Sequence, residues 1–345
     1  MTWAALILAD PSPCLRWLAL TALLDRPLED PEVQDLKTRR TLDPLVQNLI
    51  ESQAEDGSWG PDDLPGSPHP RHLVTSQALL RLGYFGFTST HPAVNKAAQY
   101  LFASQRSDGS WPLPDRFSDS PEKESYDSVP LQTALPLRGL AACGYAQEPQ
   151  AERAYKWLLA QRLEDGAWPT GTAAGGLGYV AGYRRMPHSR WGCRSNTTAA
   201  LCCLALHPKR YQEPAAQRAL DLLLGRPSKE PSSLGFETAR LIGAEPYRGF
   251  FTYFARFDAG LLLWLCARIG ASRQDPRVES LIQFIQDQQG PYGLWHYLNQ
   301  PQVSRWVSYD LLSSLKQVDQ NTDWISLEPP TPFKPEAYGK KGRRH

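Results

Sequence analysis

The chain has 345 residues, of which 41% are hydrophobic, and its formal net charge is +1. It can therefore bury a large core, in one large domain or two smaller ones, and its charge balance indicates no nucleic-acid partner. The six cysteines form no CxxC pair and most lie in apolar runs, which predicts reduced thiols and a cytoplasmic protein. No stretch approaches the ~20 apolar residues of a transmembrane helix, so any membrane contact would be peripheral.

One motif, Gln-x-x-Asp-Gly-Ser-Trp, recurs along the chain at the ends of amphipathic segments. Three clear copies end at 59, 111 and 168, and a degenerate copy ends at 295. Asp-Gly supplies a turn after a helix, because glycine adopts backbone conformations closed to other residues, and the following Trp can lie across the helix end. We therefore predict that the motif has a structural role and joins neighbouring helices. Its residues are Gln53, Trp59, Gln105, Trp111, Gln161, Trp168 and Trp295.

In chain order, helices of two kinds alternate. The first begins at Ser12-Pro13, with Ser as its cap, and a polar segment of helical character follows at 29–40. Apolar, inner-type helices are predicted to begin near 12, 75, 132, 196, 258 and 308. Outer-type helices, with charges on one side, are predicted to begin near 42, 91, 148, 213 and 275, commonly at a His-Pro, Glu-Pro or Asp-Pro cap. The segment 234–236 is interpreted as a further degenerate copy of the motif.

This alternation predicts the architecture. Two-helix repeats stack so that each buries the apolar face of its neighbour, and six inner helices can close into a ring. We predict one all-α domain over 1–318, an α/α toroid of the (α/α)6 type with essentially no sheet. The N-terminal part, 1–41, is interpreted as a degenerate repeat. Residues 319–345 are predicted to form an irregular, proline-rich, basic C-terminal tail.

The repeated motif resembles the QW motifs of squalene–hopene and oxidosqualene cyclases, and the related repeats of protein prenyltransferase β subunits. The resemblance covers residues ~10 to ~318. Within that superfamily the chain resembles short, single-toroid bacterial proteins whose functions are mostly unassigned. The resemblance implies an (α/α)6 barrel whose inner helices surround an apolar cavity for an isoprenoid chain. Function itself depends on the site rather than on the fold.

The acidic motif of the cyclases is not recognisable. These enzymes protonate an alkene with a DxDDTA motif at the start of an inner helix, and the matching segment here, 194–199, is RSNTTA. Without a carboxylic acid there is no proton donor at this position. Asp127, Asp258 and Asp310 each lie near a predicted inner-helix start and are interpreted as helix caps. Asp127 and Asp258 are retained as catalytic candidates.

The zinc ligands of protein prenyltransferases are also incomplete. Those enzymes use an Asp-x-Cys pair and a later His, and Cys193 falls near the position of that Cys, but Trp191 stands two residues before it. His188 and Cys193 are an alternative pair of metal ligands, with Asp258 as a third, and Cys193 is also a catalytic candidate. The simpler interpretation is that Cys193 is a buried free thiol. We assign no cofactor from the sequence, and Zn²⁺ and Mg²⁺ remain open alternatives.

Three segments supply candidate ligand-binding residues. Segment 179–196 combines basic and aromatic residues at an inner-helix N-terminus, where a diphosphate can bind; a solvated basic loop is the alternative. Segment 247–257 is dense in aromatic rings, which can line a hydrophobic site or simply close the end of the toroid. The junction 304–310 can line the cavity mouth. The candidates are Arg190, Trp191, Arg194, Asn196, Tyr253, Phe254, Arg256, Trp306 and Tyr309.

Two main hypotheses for the function stay open. The protein is either an isoprenoid-handling enzyme of the terpene cyclase or prenyltransferase type, or a non-catalytic toroid that binds a ligand or docks a protein. In both, a hydrophobic, isoprenoid-like small molecule is the leading partner. A third hypothesis, polysaccharide hydrolysis or lysis, would need paired carboxylates, and the sequence nominates none. The oligomeric state is not predicted.

Overall fold

The computed structural model describes residues 2–61, 63–64, 70–113, 126–225, 234–245, 254 and 258–320. The helices are α1 (Thr2–Leu8), α2 (Pro13–Leu18), α3 (Pro31–Arg39), α4 (Pro44–Glu51), α5 (Arg71–Tyr84), α6 (Pro92–Ala103), α7 (Pro130–Ala142), α8 (Pro149–Ala160), α9 (Arg194–Leu206), α10 (Pro214–Leu224), α11 (Phe236–Leu241), α12 (Ala259–Ile269), α13 (Pro276–Gln286) and α14 (Pro301–Gln320). A π-helical segment (Ala19–Leu23) continues α2, and short 3-10 turns lie at Arg40–Leu42, Gly182–Arg184 and Arg210–Gln212. Two-residue strands, β1 (Thr172–Ala173) and β2 (Gly176–Leu177), pair antiparallel.

The helices form two concentric series, and the prediction of an all-α toroid is confirmed. The inner ring contains α2 with its π-helical continuation, then α5, α7, α9, α12 and α14. Nearly every residue of α7 and α9 is buried, as expected for helices surrounded by protein. Each outer helix buries a stripe against the ring, as α6 does with Val94, Ala97 and Leu101. Among the described helices, we find none with the length and apolar character needed to cross a membrane.

Most predicted helix starts lie within a few residues of the observed ones, but α14 is an exception. It begins at Pro301, well before the predicted start near 308, and it runs to Gln320, into the segment that was predicted to be a tail. Residues 321–345 lie outside the described residues. The predicted Asp-Pro and His-Pro caps are confirmed, since the Asp43, His91 and Asp275 side chains accept backbone N–H groups at the starts of α4, α6 and α13. At the Glu-Pro starts of α8 and α10, the Glu148 and Glu213 side chains make no capping bond.

The Trp of each motif copy is buried and ties its own repeat together. In all four copies the indole Nε1 donates to the backbone carbonyl oxygen ten residues earlier, near the end of the preceding outer helix. The four bonds join Trp59 to Leu49 (2.8 Å), Trp111 to Leu101 (2.8 Å), Trp168 to Leu158 (2.7 Å) and Trp295 to Ile285 (2.6 Å). These carbonyls belong to helix C-terminal turns, where the regular α-helical partner is missing. Each also accepts a longer bond from the residue three positions later, such as Ser52 Oγ at Leu49, so the indole is a second, shorter bond to a buried carbonyl.

The same Trp residues are also bonded to the inner helices that follow. The backbone N–H of Trp59, Trp168 and Trp295 donates to a hydroxyl oxygen, that of Thr75 on α5, Thr197 on α9 and Ser308 on α14 respectively. In the second copy the Trp residue is the acceptor instead of the donor: the Gln132 side chain on α7 donates to the backbone carbonyl of Trp111. Each motif thus connects an outer helix to the next inner helix.

The Gln of the motif fixes the Asp-Gly turn. In three copies its Nε2 donates to the carbonyl of the motif glycine at 2.9 Å, and these glycines have positive φ angles, such as +86° at Gly57. Gln53 and Gln105 also donate to carbonyls of the next outer helix, at Ala93 and Gln150. In the third copy Arg162 takes this position and donates to the carbonyl of Gly166. The predicted Gln161 lies one residue earlier and accepts a bond from Ser128 instead.

The ring closes through contacts between the two ends of the described chain. Helix α14 packs against the π-helical segment, and Lys316 donates to the carbonyls of Ala22 and Leu23. Arg305 pairs with the buried Asp10 carboxylate at 2.5 Å. On the other side, Arg40 donates to the carbonyl of Phe85 at the end of α5. The N-terminal segment therefore completes the ring between α5 and α14.

Helix α11 lies inside the ring, which the sequence did not predict. It contacts α5, α12 and α14, and its Glu237 side chain reaches Arg138 on α7. The interpretation of 234–236 as a degenerate motif is wrong, since Gly235 begins this central helix with a φ of +80°. A Cβ at Gly235 would lie 2.5 Å from a Val307 methyl carbon, so the close approach of α11 to α14 requires glycine there.

We expect Trp59→Phe to lower the free energy of unfolding by about 1–2 kcal/mol more than Trp306→Phe does. Both side chains are fully buried, so the loss of volume is similar. Trp59→Phe removes the indole bond to the buried Leu49 carbonyl, which keeps only the longer bond from Ser52 Oγ, whereas Trp306 Nε1 has no hydrogen-bond partner among the described residues. Urea unfolding followed by circular dichroism would measure both variants. Equal destabilisation would contradict the proposed role of the indole bond.

We expect Arg305→Met to destabilise the fold by about 2–4 kcal/mol, because it leaves the Asp10 carboxylate buried without its cation. The matched control is Arg273→Met, which breaks pairs with the half-exposed carboxylates of Glu279 and Asp319 and should cost less than about 1 kcal/mol. The measurement is again urea unfolding. If Arg305→Met destabilises the protein no more than Arg273→Met does, the ion pair between Arg305 and Asp10 does not hold the ring closed.

Candidate functional site

A pocket of about 200 Å³ lies between α11 and the inner helices. Its walls come from α5, α7, α9, α11, α12 and α14, so it sits within the ring. Most of its lining is apolar: Leu80, Ala142, Leu206, Leu241, Leu261, Trp264, Val307 and Leu311. The polar lining side chains are Tyr84, Arg138, Glu237, Thr238 and Asp310. An apolar cavity with a few convergent polar groups is the usual form of a small-molecule site.

Asp310 brings a carboxyl group to the pocket wall from the middle of α14. Its Oδ2 accepts hydrogen bonds from Thr238 Oγ1 (2.6 Å) and Tyr84 Oη (3.0 Å). Burial raises the pKa of Asp310 to about 7; these two bonds oppose the rise, while the negative charges of Asp258 and Glu237 add to it. The interpretation of Asp310 as a helix cap is wrong, because α14 begins nine residues earlier at Pro301.

The second carboxylate of the pocket belongs to Glu237, and it forms a buried ion pair. Its Oε1 accepts from Arg138 Nη1 at 2.5 Å, and its Oε2 accepts from Arg240. Burial alone would raise the pKa of Glu237, but the two guanidinium groups outweigh it and lower the pKa. Both oxygens are therefore occupied by cations of the protein.

Asp258 is the N-cap of α12, as predicted, and it also anchors α11. Its carboxylate accepts the backbone N–H groups of Gly260 and Leu261 on its own helix, and those of Gly235 and Glu237 on α11. Burial raises the pKa of Asp258 to about 6 in spite of these four donors. Since its oxygens are bonded to backbone amides, Asp258 is placed to hold α11 rather than to act as an acid on a ligand.

The basic residues of segment 179–196 do not line the central pocket. Arg190 is exposed and lies over the Trp191 ring. Arg194 is buried at the start of α9 and, with Phe254, lines a separate crevice of only about 20 Å³. Asn196 is used structurally: its Oδ1 accepts the N–H of Leu131, and its Nδ2 donates to the carbonyl of Thr170. Tyr253 and Arg256 lie outside the described residues.

Trp306 and Tyr309 are buried on α14 beside the pocket but are not part of its lining. Trp306 packs against the rings of Tyr84 and Phe85, with centroids 5.6 Å apart in each case. Burial raises the pKa of the Tyr309 hydroxyl. Trp306 therefore supports the pocket wall by packing against Tyr84.

The alternative metal ligands do not come together. Within the described ranges, no group of three or more His, Cys, Asp or Glu side chains could hold a metal ion. Cys193 is a buried free thiol at the N-cap of α9, and His188 is exposed. Asp127 is exposed and precedes Val129, the actual N-cap of α7, so its interpretation as a cap is wrong. The residues present do not fit a zinc site.

Sequence reasoning missed most of the pocket residues. Arg138, Glu237 and Thr238 were not among the candidates, and neither were Tyr84 and Trp264. One signal was present: Arg138 and Asp310 are ionisable residues within otherwise apolar inner-helix segments. Buried charges of this kind are costly unless they are paired or functional. The partners of these charges, however, are far away in the sequence.

The family match is consistent with this architecture. Residues 73–183 match the model of the squalene-hopene cyclase C-terminal domain. Over part of its length the chain is therefore similar to the squalene cyclases. It is 32% identical over 137 residues to squalene–hopene cyclase of Zymomonas mobilis and 29% identical over 164 residues to that of Bradyrhizobium diazoefficiens, covering 38% and 43% of this chain. The aligned segments span 20% and 24% of those relatives, about a fifth to a quarter of their length.

Two solved structures are also similar. A type II terpene cyclase from Scytonema, in complex with its substrate geranylgeranyl dihydroxybenzoate, is 14% identical, with a TM-score of 0.34 over 79% of this chain and 95% of that chain. An unsaturated glucuronyl hydrolase specific for heparin is 12% identical, with a TM-score of 0.43 over 92% of this chain and 85% of that chain.

We expect Asp310→Asn to stabilise the protein near neutral pH, by an amount on the order of 2–4 kcal/mol. Because Asp310 binds its proton more tightly in the folded protein, the stabilisation from protonation is complete below about pH 4 and is lost as the pH rises towards 7. The gain from Asn should therefore be small at pH 4, grow up to about pH 7 and stay constant above it.

Urea unfolding at a series of pH values would measure this difference between variant and wild type. Asn can still accept the bonds from Tyr84 and Thr238, so the structural change is small. The exposed Asp35→Asn on α3 is the control and should change the free energy of unfolding by less than about 0.5 kcal/mol at each pH. A pH-independent effect of Asp310→Asn would contradict the raised pKa.

Proposed function

We propose that this protein binds a small hydrophobic, isoprenoid-like molecule in the central pocket. The observation that carries the proposal is the pocket itself: an apolar cavity inside the helical ring, whose walls come from six different helices. The relationship to the squalene cyclases supports this ligand class, as does the geranylgeranyl substrate bound to the Scytonema terpene cyclase.

The volume of the pocket restricts the ligand. About 200 Å³ is less than the roughly 300–1,000 Å³ of typical ligand pockets, but it exceeds the ~150 Å³ of an apolar cavity that accepts benzene. With α11 in place, the pocket suits a molecule of about ten heavy atoms, or the end of a longer chain. An extended triterpene would require α11 to leave the ring.

A polysaccharide-cleaving function fits the pocket less well. Such chemistry needs two carboxyl groups that flank a glycosidic bond. Glu237 is held by two guanidinium groups, and the neighbouring Asp258 is held by four backbone amides. Neither is available to a sugar, and a cavity of this size has no room for a chain of them.

The test is to fill the pocket and measure bound ligand. Leu206→Trp adds an indole at the last residue of α9, where Leu206 is partly exposed at the pocket wall. We expect mass spectrometry of an organic extract of the wild-type protein to find a bound hydrophobic molecule. The amount of this molecule per protein should be at least tenfold lower in the Leu206→Trp variant. Direct titration with that molecule should reproduce the loss.

The matched control is Leu159→Trp. Leu159 is a leucine of similar partial burial on the outer helix α8, away from the pocket. It should retain the ligand. Circular dichroism of both variants separates lost binding from lost folding. Equal ligand content in the two variants, with both folded, would contradict binding in this pocket.

A further inference from the structure

The pocket wall carries a carboxyl group that no basic side chain of the described residues neutralises. Both hydrogen bonds to Asp310 end on Oδ2, from Tyr84 and Thr238. Its other oxygen, Oδ1, makes no hydrogen bond within the described part of the chain, and no ion pair there includes Asp310. The side chain keeps part of its surface exposed, and it lines the pocket. Oδ1 is therefore the acceptor left for a ligand.

The other charged groups around Asp310 have partners within the protein. From α7, Arg138 pairs with Glu237 of α11, which also pairs with Arg240. At the start of α12, the Asp258 carboxylate is bonded to backbone amides. The hydroxyl groups next to Asp310 are those of Thr238 on α11 and Tyr84 on α5, and Tyr309 precedes it on α14. The charges that raise the pKa of Asp310 are negative, those of Asp258 and Glu237.

We propose that the ligand of this pocket is an apolar molecule with a single protonated amine, whose ammonium group pairs with Asp310 Oδ1. The inference rests on the proposed pocket function and specifies its ligand class. The hydrocarbon part lies against the leucine-rich wall formed by Leu80, Leu206 and Leu261. Tyr84 and Trp264 also line the pocket and supply aromatic faces for the cation.

Electrostatics favours an ammonium over other head groups. A cation close to a carboxylate in a buried setting recovers charge stabilisation that burial has removed, and none of the described residues supplies a cation that pairs with Asp310. An alcohol would gain only a hydrogen bond. A carboxylate or a diphosphate would add negative charge beside three carboxyl groups, while Arg138 is already committed to Glu237. The charges around the pocket therefore disfavour the binding of anionic ligands.

Three probes of nearly equal shape test this: cyclohexylmethylamine, cyclohexylmethanol and cyclohexanecarboxylate. We expect calorimetric titration of the full chain at pH 8 to give an affinity for the amine at least tenfold above that for the alcohol, with the carboxylate weakest. At pH 5.5 the preference for the amine should shrink, because Asp310 then holds a proton while the amine stays charged. Asp310→Asn should abolish the preference at pH 8 but leave the affinity for the alcohol within about threefold.

The outcomes separate the two proposals. If alcohol and amine bind equally to the wild type, and Leu206→Trp weakens both, the pocket function stands and the amine inference is overturned. A preference for the amine that survives in Asp310→Asn also overturns it, since the charge then acts elsewhere. If none of the three probes binds, both proposals fail. Circular dichroism and the retained affinity for the alcohol establish that Asp310→Asn is folded.

Discussion

The buried carboxylate of Glu237 is the constraint on which the interior depends. A six-residue helix such as α11 has too few hydrogen bonds to be stable alone. It is held inside the ring because Glu237 bonds to Arg138 on α7, while Asp258 accepts the amides at its N-terminal end. A buried ion pair of this kind contributes little more stability than apolar side chains of the same size would, but removing one of its partners is strongly destabilising. It therefore acts to fix the position of α11, and with it the size of the pocket.

The ring around α11 obtains its rigidity from a different source. Each motif Trp donates from its indole to an outer helix, and its backbone is bonded to the next inner helix. Trp59, for example, joins Leu49 to Thr75. These contacts are neutral and local, so they repeat with little variation from copy to copy. The repeats thus build a frame in which a polar, non-repetitive centre can be held.

The interior differs from what the family resemblance implies at one important place. At the start of α9, where the resemblance leads us to expect an acidic motif, this chain has Arg194 and Asn196. Asn196 joins α9 to α7 and to the loop before it through two hydrogen bonds. The carboxyl groups at the pocket, Glu237 and Asp310, come instead from α11 and α14. The helical ring therefore surrounds a set of polar groups that the repeated motif does not predict, and the ligand class has to be argued from those groups.

The sequence by itself determined the helical repeats and the toroid. The motif acts over short distances, as in the bond from Trp59 to Leu49, so its physical meaning is visible in a single segment. The Asp-Pro caps are local in the same way. The tertiary structure alone decided the centre. Asp310 looked like a helix cap, and its actual partners, Tyr84 and Thr238, are 226 and 72 residues away. Burial and long-range charge set its pKa, and neither is encoded in the residues next to it.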